Sequence, residues 1–176
     1  MEEVKVCGID LSAKEKNPTG ICILEGCKLF TRLVYRDDQI LEFIKSFRPK
    51  VTAIDAPLSY SSKPYRKCEE ELIKLGSKFL PLNMKSMEEL TARALRIKYE
   101  VEKFGMVIET HPRSIEKISG IRIPEDLKKF NMKLMNLLRS DHEKDAILCA
   151  LAAYGYLLGK YVEFGNSEGK IILPKL

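Results

Sequence analysis

The architecture of this protein follows from Val4-Lys5-Val6-Cys7-Gly8-Ile9-Asp10-Leu11-Ser12, close to the start of the chain. This density of β-branched and apolar residues predicts a buried β-strand, and the strand runs into the carboxylate of Asp10. Successive residues of a strand face opposite sides, so Asp10 shares a face with Val6 and Gly8. An ionised carboxylate in such apolar company is costly unless it is paired, hydrogen-bonded or bound to a metal. Asp10 is therefore the first candidate functional residue.

The same pattern occurs twice more along the chain. The segment Val51–Pro57 is a short apolar strand that runs into Asp55, and Met106–Pro112 does the same with Glu109. In open α/β sheets, ligands bind outside the carboxyl ends of the strands. We therefore expect the sheet to bring Asp10, Asp55 and Glu109 to one edge.

The order of predicted elements indicates an α/β fold with a mixed sheet. Three strands joined by short connections come first and should pair as antiparallel neighbours. The Asp55 and Glu109 strands follow helical connections, so they should run parallel to each other. We predict three antiparallel hairpin-linked strands plus two parallel strands, flanked by helices. Residues 1–176 should form a single domain, with a helical insertion near 60–104 between the Asp55 and Glu109 strands.

Two more helices are predicted in the last third of the chain. Apolar residues recur at helical spacing from Pro124 to Leu137, which predicts a helix there. Ser140 and Glu143 form a capping-box pattern that opens the most apolar helix, roughly 141–158. Its uncharged run has only 14 residues, which suits a buried helix better than a membrane span.

Composition narrows the class of protein. The charged fraction of 31%, with Gln39 as the only glutamine, hints at a thermophilic source. The net charge of +5 comes from scattered basic residues, so it permits a polyanionic partner without requiring one. Five cysteines without any CxxC pair argue against structural zinc and favour a reducing compartment. The chain begins Met-Glu-Glu, without the pattern of a signal peptide, so we expect a cytoplasmic protein without membrane association.

Two further acids lie at the start of the apolar helix. Asp141 and Asp145 are four residues apart and so share a helix face. If that helix start points at the ends of the Asp10 and Asp55 strands, four carboxylates converge and repel one another. Carboxylate ligands select Mg²⁺ or Mn²⁺, and two such ions can clamp the attacking and leaving oxygens of a phosphodiester.

Each of these residues also has an ordinary structural interpretation. Asp141 could only cap its helix, Asp55 before Ala-Pro could be a turn residue, and Glu109 could form a salt bridge. His111 before a proline is typical of a structural histidine, and His142 at a helix start is typical of a solvated one. Asp145 lies where its helix turns apolar, which favours a functional role.

Basic residues in the predicted insertion could contact phosphate. Guanidinium and ammonium groups bind phosphate oxygens through charge-assisted hydrogen bonds. A solvated helix face explains these residues as well. The candidates for substrate binding are Arg66, Lys85 and Arg93.

An ordered set of short motifs resembles a known family. The set comprises Gly8-Ile9-Asp10-Leu11-Ser12, Thr19-Gly20, Ile54-Asp55-Ala56-Pro57, Arg66-x-x-Glu69, Glu109-Thr110-His111-Pro112, Asp141-x-x-x-Asp145-Ala146 and Glu168-Gly169-x-Ile171. Together these motifs resemble the uncharacterised family described as predicted nucleases with an RNase H-like fold, within the superfamily of RuvC-type Holliday-junction resolvases.

The resemblance implies roles for the acids. Asp10, Asp55 and Asp145 would be the catalytic and metal-binding triad, with Asp141 as a fourth ligand. The spacing of four between Asp141 and Asp145 is one residue longer than in the resolvases. Glu109 belongs to the pattern of the predicted-nuclease family itself and joins the catalytic candidates.

Three functions compete at this point. We favour a divalent-metal-dependent nuclease that hydrolyses phosphodiester bonds of RNA or DNA with Mg²⁺ or Mn²⁺. A non-catalytic binding or assembly protein on the same fold is the main alternative. A small-molecule phosphotransferase of the actin and sugar-kinase kind needs a glycine-rich turn after the strand Asp, where this chain has Leu11, and a second domain for which 176 residues leave no room.

Overall fold

The computed structural model describes residues 3–176, which form one eight-stranded mixed sheet flanked by helices. The strands run in the order β6-β3-β2-β1-β4-β5-β8-β7 across the sheet. Their bounds are β1 Lys5–Asp10, β2 Thr19–Glu25, β3 Lys28–Val34, β4 Val51–Asp55, β5 Met106–Glu109, β6 Lys133–Leu134, β7 Tyr161–Asn166 and β8 Gly169–Pro174. The helices are α1 Asp37–Phe47, α2 Lys67–Lys74, α3 Lys85–Val101, α4 Pro112–Ser114 and α5 Asp141–Leu157.

The predicted fold class is confirmed. Strands β1, β2 and β3 pair as antiparallel neighbours, and β4 and β5 run parallel to β1. The sheet is larger than predicted, because β6, β7 and β8 extend its two edges. Helices α2 and α3 lie between β4 and β5 in the chain.

Alternation along β1 divides the buried side chains into two cores. Val6 packs in the core that contains α5, and Cys7 and Ile9 pack in the core that contains α1 and α3. Because β1 and β4 pair in register, the alternate residues Val51 and Ala53 of β4 join the α5 side. Asp10 and Asp55 continue these alternate positions, so both belong to the face on which α5 lies.

Helix α5 lies directly on the backbone of two strands. A Cβ atom added at Gly8 would overlap the backbone of Ala146 and Ala150, and one added at Gly20 would overlap the carbonyl of His142. The helix begins as predicted, with Ser140 as N-cap accepting a hydrogen bond from the backbone N–H of Glu143. Although α5 is deeply buried along most of its length, no helix within residues 3–176 is long and apolar enough to cross a membrane.

The helix predicted from Pro124 to Leu137 is wrong. The chain there forms a short 3-10 helix, Glu125–Phe130, and then strand β6. The N–H of Lys133 donates to the carbonyl of Cys27, and the N–H of Met135 donates to that of Leu29. Pairing with the free edge of β3 satisfies these backbone groups and overrides the helical spacing of the apolar side chains.

Candidate functional site

Three of the predicted acids come together at one end of the sheet. Asp10 and Asp55 close β1 and β4 and are directly paired in the parallel register. Asp145 reaches the same place from the second turn of α5, close enough for its charge to act on Asp55. The carboxyl ends of two neighbouring parallel strands supply two carboxylates to this end of the sheet, and the N-terminal part of α5 supplies the third.

The electrostatics of the three acids are those of crowded, poorly solvated carboxylates. Burial, and then the charges of Asp10 and Asp145, raise the pKa of Asp55 well above its ordinary value. Burial also raises the pKa of Asp10, against the opposing effect of a hydrogen bond and charge from His142. Burial and the charge of Asp10 raise the pKa of Asp145 to about 6. Each shift is what a compensating cation would reverse.

His142 also belongs to this group, although its side chain is exposed, as expected for a residue at a helix start. Its Nδ1 atom lies 2.7 Å from Oδ2 of Asp10, although the ring remains 46% exposed. The signal in the sequence is the spacing of three between His142 and Asp145, which places both on one side of the first turns of α5. The backbone of His142 packs directly against Gly20 of β2, and this close packing brings the His142 ring to the end of β1.

Asp141, predicted as a fourth ligand, lies at the exposed start of α5, one turn before Asp145. It is the first residue of α5 and its side chain is exposed. Within residues 3–176, none of the hydrogen bonds or ion pairs joins Asp141 to Asp10, Asp55 or Asp145. A position next to the N-terminal backbone amides of α5 suits an acid whatever its other roles, because the helix dipole favours negative charge there.

Glu109 lies at the end of β5 and is held by Arg66. The guanidinium of Arg66 donates to both carboxylate oxygens of Glu109, at 2.5 and 3.0 Å, and it also pairs with Glu69. The second oxygen of Glu109 accepts the N–H of Leu58 at 2.9 Å. Arg66, Glu69 and Glu109 are 1%, 1% and 6% exposed. Arg66, predicted to bind substrate, has all three of its guanidinium nitrogens donating to Ser59, Glu69 and Glu109 in this buried cluster.

The other two predicted phosphate-binding residues do not border the acids either. Arg93 is 1% exposed and donates to a carboxylate oxygen of Asp37 and to the carbonyls of Ser12 and Tyr35, each at 2.7 Å. It ties α3 to the loop after β1 and to the start of α1, which is a structural role. Lys85 is exposed at the start of α3, and no contact in the described part of the chain links it to the acids.

Arg113 is the cation that sequence reasoning missed. Its side chain is exposed in the first turn of α4, and its charge lowers the pKa of Asp10 and Asp55 against their burial. It acts in the same way on Asp145. The available signal was its position, because Arg113 follows Glu109-Thr110-His111-Pro112 directly and so begins at the same sheet edge as the acids.

The donor chemistry fits a divalent cation, while the acids are not arranged around one point. Within residues 3–176, no three His, Cys, Asp or Glu side chains are placed to hold one ion together. Asp10 and Asp55 nevertheless end neighbouring strands as directly paired residues, and the negative charge of Asp10 raises the pKa of Asp55. Carboxylate oxygens are the ligands that Mg²⁺ and Mn²⁺ prefer. The residues that could hold such an ion are Asp10, Asp55 and Asp145.

The fold is similar to that of a solved structure. The sequence matches no protein-family model and no curated protein. Among solved structures, the chain is similar to T. thermophilus RuvC in complex with Holliday junction substrate, with a TM-score of 0.55 and 18% sequence identity. The likeness covers 89% of this chain and 97% of that chain. At this level of identity it shows the fold alone, the RNase H-like fold that the sequence motifs implied.

Proposed function

We propose that this protein is a divalent-metal-dependent nuclease that hydrolyses phosphodiester bonds of nucleic acid. The observation that carries the proposal is the meeting of Asp10, Asp55 and Asp145 at the carboxyl ends of β1 and β4, with raised pKa values. Structural ion pairs elsewhere in the chain neutralise their acids with lysine or arginine, as Arg66 does for Glu109. Within residues 3–176, no lysine or arginine forms an ion pair with any of these three acids, and Asp10 contacts only His142 in this way. The lack of a lysine or arginine partner favours a role in binding a cation.

The residues divide the work as follows. Bound Mg²⁺ or Mn²⁺ would supply Lewis-acid stabilisation of the phosphodiester and an activated water. Asp10, Asp55 and Asp145 would hold the ion through carboxylate oxygens. His142 would orient Asp10 through the hydrogen bond to Oδ2. Arg113, the exposed cation beside the acids, would bind a phosphate oxygen of the substrate.

The substrate class follows from charge and from the structural neighbour. A cation bound by the acids would remove their repulsion for a polyanionic substrate. The net charge of +5 permits such a substrate. The similar RuvC structure is a complex with Holliday junction substrate, so branched DNA belongs among the substrates to be tested. A screen of single-stranded, duplex, RNA–DNA hybrid and branched substrates with Mg²⁺ or Mn²⁺ should show metal-dependent cleavage. Asp10→Asn should abolish it, whereas Asp38→Asn, in an exposed pair on α1, should not.

Thermal melts separate this proposal from a non-catalytic binding protein. If the acids hold metal, Asp10→Asn relieves repulsion and leaves the melting temperature without metal unchanged or raised. It should also abolish the rise that Mn²⁺ produces in the parent, since a ligand stabilises the folded state by mass action. The alternative is favoured by the bond between Asp10 and His142, which could serve structure alone. In that case Asp10→Asn should cost about 1–3 kcal/mol, and Mn²⁺ should affect neither protein.

A further inference from the structure

A cavity of about 230 Å³ opens beside Asp55, and the proposed chemistry does not use it. Asp55 and Glu109 form part of its wall, so it adjoins the carboxylate site. Most of the remaining wall is apolar, with Leu82, Met87 and Leu90 contributing from the segment before α3 and from α3 itself. The acids therefore border a small, mostly apolar chamber.

One wall of the cavity is aromatic. The rings of Phe79 and His111 are stacked, with their centroids 4.1 Å apart and their planes 24° from parallel. His111 Nδ1 lies 2.7 Å from the hydroxyl of Ser114, which in turn donates to Ser77 and fixes the ring. Burial lowers the pKa of His111 to about 4, so the ring is neutral at physiological pH. The wall presents a rigid, uncharged aromatic surface.

The size and the mouth of the cavity restrict what it can receive. Pockets for drug-sized ligands occupy roughly 300–1,000 Å³, so this smaller chamber suits a single planar group. The exposed cations Lys78 and Arg113 are also among its lining residues. A mostly apolar chamber with an aromatic wall, exposed basic residues in its lining and carboxylates alongside matches a nucleotide, with its base inside and its phosphate outside.

We propose that this cavity receives one unpaired nucleobase of the substrate, next to the phosphodiester that the acids would cut. This proposal rests on the proposed nuclease function, because that function makes nucleic acid the ligand. Enzymes that bind a base outside its stack hold it by stacking against aromatic and apolar side chains. The protein then acts at single-stranded or locally unpaired nucleotides, and a fully paired duplex is a poor substrate unless one base leaves the stack.

The binding experiment uses single-stranded oligonucleotides that carry 2-aminopurine at one position in turn, with EDTA present to prevent cleavage. The emission of the probe should change at one position of the bound strand and much less at its neighbours. Replacement of that nucleotide by an abasic one should weaken binding to the unaltered protein roughly tenfold, the range of base–aromatic stacking. This arm changes only the ligand, so the folding of a variant cannot affect it.

Variants of the wall give the second arm. Phe79→Leu keeps an apolar side chain but removes the aromatic face, and should weaken binding of the intact strand by roughly the same factor as the abasic substitution. Phe43→Leu, at a partly buried phenylalanine of α1 in the opposite core, is the matched control and should leave binding unchanged. A strand that binds neither in EDTA nor with Ca²⁺ added in place of EDTA to offset the carboxylates overturns the proposal. The proposal is also wrong if the probe responds equally at all positions of the strand. It is wrong as well if Phe79→Leu and Phe43→Leu weaken binding equally.

Cleavage assays keep the two proposals apart. If the strand is cut with Mn²⁺ and Asp10→Asn stops the cutting, while no abasic position matters, the nuclease stands and the base pocket is wrong. If one base is bound specifically but nothing is cut under any metal, the pocket stands as a nucleic-acid site and the nuclease proposal fails.

Discussion

At the scale of single residues, the carboxylates of this chain fall into two chemical classes. Glu109 and Glu69 share Arg66 and are neutralised within the protein. Asp55 lies near other acids, whose charges raise its pKa, while the charge of the exposed Arg113 partly offsets them. Because a buried charge must be compensated, the second class carries the demand for an external cation. The difference between the classes can be tested by removing single charges.

The first prediction concerns the buried ion-pair cluster. Arg66→Met should cost about 3–5 kcal/mol in the free energy of unfolding, because Glu69 and Glu109 are left buried without a partner. Glu109→Gln should cost less, about 1–3 kcal/mol, since Arg66 keeps Glu69. Urea denaturation measures both. Glu109→Gln should also keep the Mn²⁺-induced rise in melting temperature that Asp10→Asn loses. A Glu109→Gln variant of unchanged stability that no longer responds to Mn²⁺ would make Glu109 a metal ligand after all.

The second prediction compares two adjacent residues of α5. His142→Ala removes the hydrogen bond to Asp10 and should reduce metal affinity or cleavage about 10–100-fold, the usual effect of losing a residue that orients a ligand. Asp141→Asn keeps the shape of an exposed side chain and should change either quantity less than about twofold, within the small effects of surface substitutions. Mn²⁺ titration and initial rates measure the pair. The reverse order of effects would restore Asp141 as the fourth ligand.

At the scale of the elements, the position of α5 decides whether the site exists. Asp10 and Asp55 are placed by strand pairing alone, but Asp145 and His142 depend on where the helix crosses the sheet. The absence of side chains at Gly8 and Gly20 lets the helix backbone approach the strands. Glycine in a strand interior is otherwise unfavourable, so its presence at both positions indicates a close approach of backbones.

The third prediction tests that approach. Gly8→Ala should destabilise the protein by about 3 kcal/mol or more, because the added Cβ meets the backbone of Ala146 and Ala150 and the whole helix must move. The Mn²⁺ response should weaken with it, as Asp145 is displaced. Gly159→Ala is the matched control, since Gly159 has a φ of +68° but open space around it. Its cost should be about 1 kcal/mol, from backbone strain alone. Equal destabilisation by the two variants would mean that α5 does not depend on the close approach at Gly8.

The sequence predicted the elements that local signals define. Alternation and a terminal acid identified β1 and β4, and the Ser140 cap identified the start of α5. The helix predicted for segment 124–137 was wrong. The apolar residues there have helical spacing, but the backbone forms its hydrogen bonds with the open edge of strand β3. The burial of Arg66 could not be predicted either, since its partner Glu109 is 43 residues away in the chain, and its local partner Glu69 would suit an exposed ion pair equally well.

At the scale of the whole molecule, the topology explains why Asp10 and Asp55 could be expected to meet. Asp145 was a candidate for a different reason, its position where helix α5 turns apolar. Parallel strands place their carboxyl ends at one edge of the sheet, so acids after β1 and β4 must meet. That rule says nothing about a side chain that enters from a helix or a loop. His142 and Arg113 enter in that way, and both were found only in the structure. The site is therefore a composite of a predictable frame and contacts that depend on packing.

The last prediction concerns the stability of the whole molecule against pH, without metal. Asp145 has a pKa of about 6, raised by burial and by Asp10, against about 3.9 when unfolded. Its protonation favours folding, so this contribution is complete below about pH 4 and is lost as pH rises through about 6. His111 has a pKa of about 4, lowered by burial, against about 6.5 when unfolded. Its contribution is present above about 6.5 and is lost as pH falls toward 4.

The two contributions act in opposite directions over the same range, so single variants should separate them. When the pH is lowered from 7 to 4.5 in EDTA, the melting temperature of Asp145→Asn should fall further than that of the parent. This variant keeps the destabilising protonation of His111 but lacks the stabilising protonation of Asp145. His111→Phe, which keeps an aromatic ring against Phe79, should lose less than the parent or gain. Each difference should be about 2–5 °C after allowance for partial exposure. Profiles that stay parallel to that of the parent would mean that neither residue titrates in this range, and that the acids are less crowded than the structure places them.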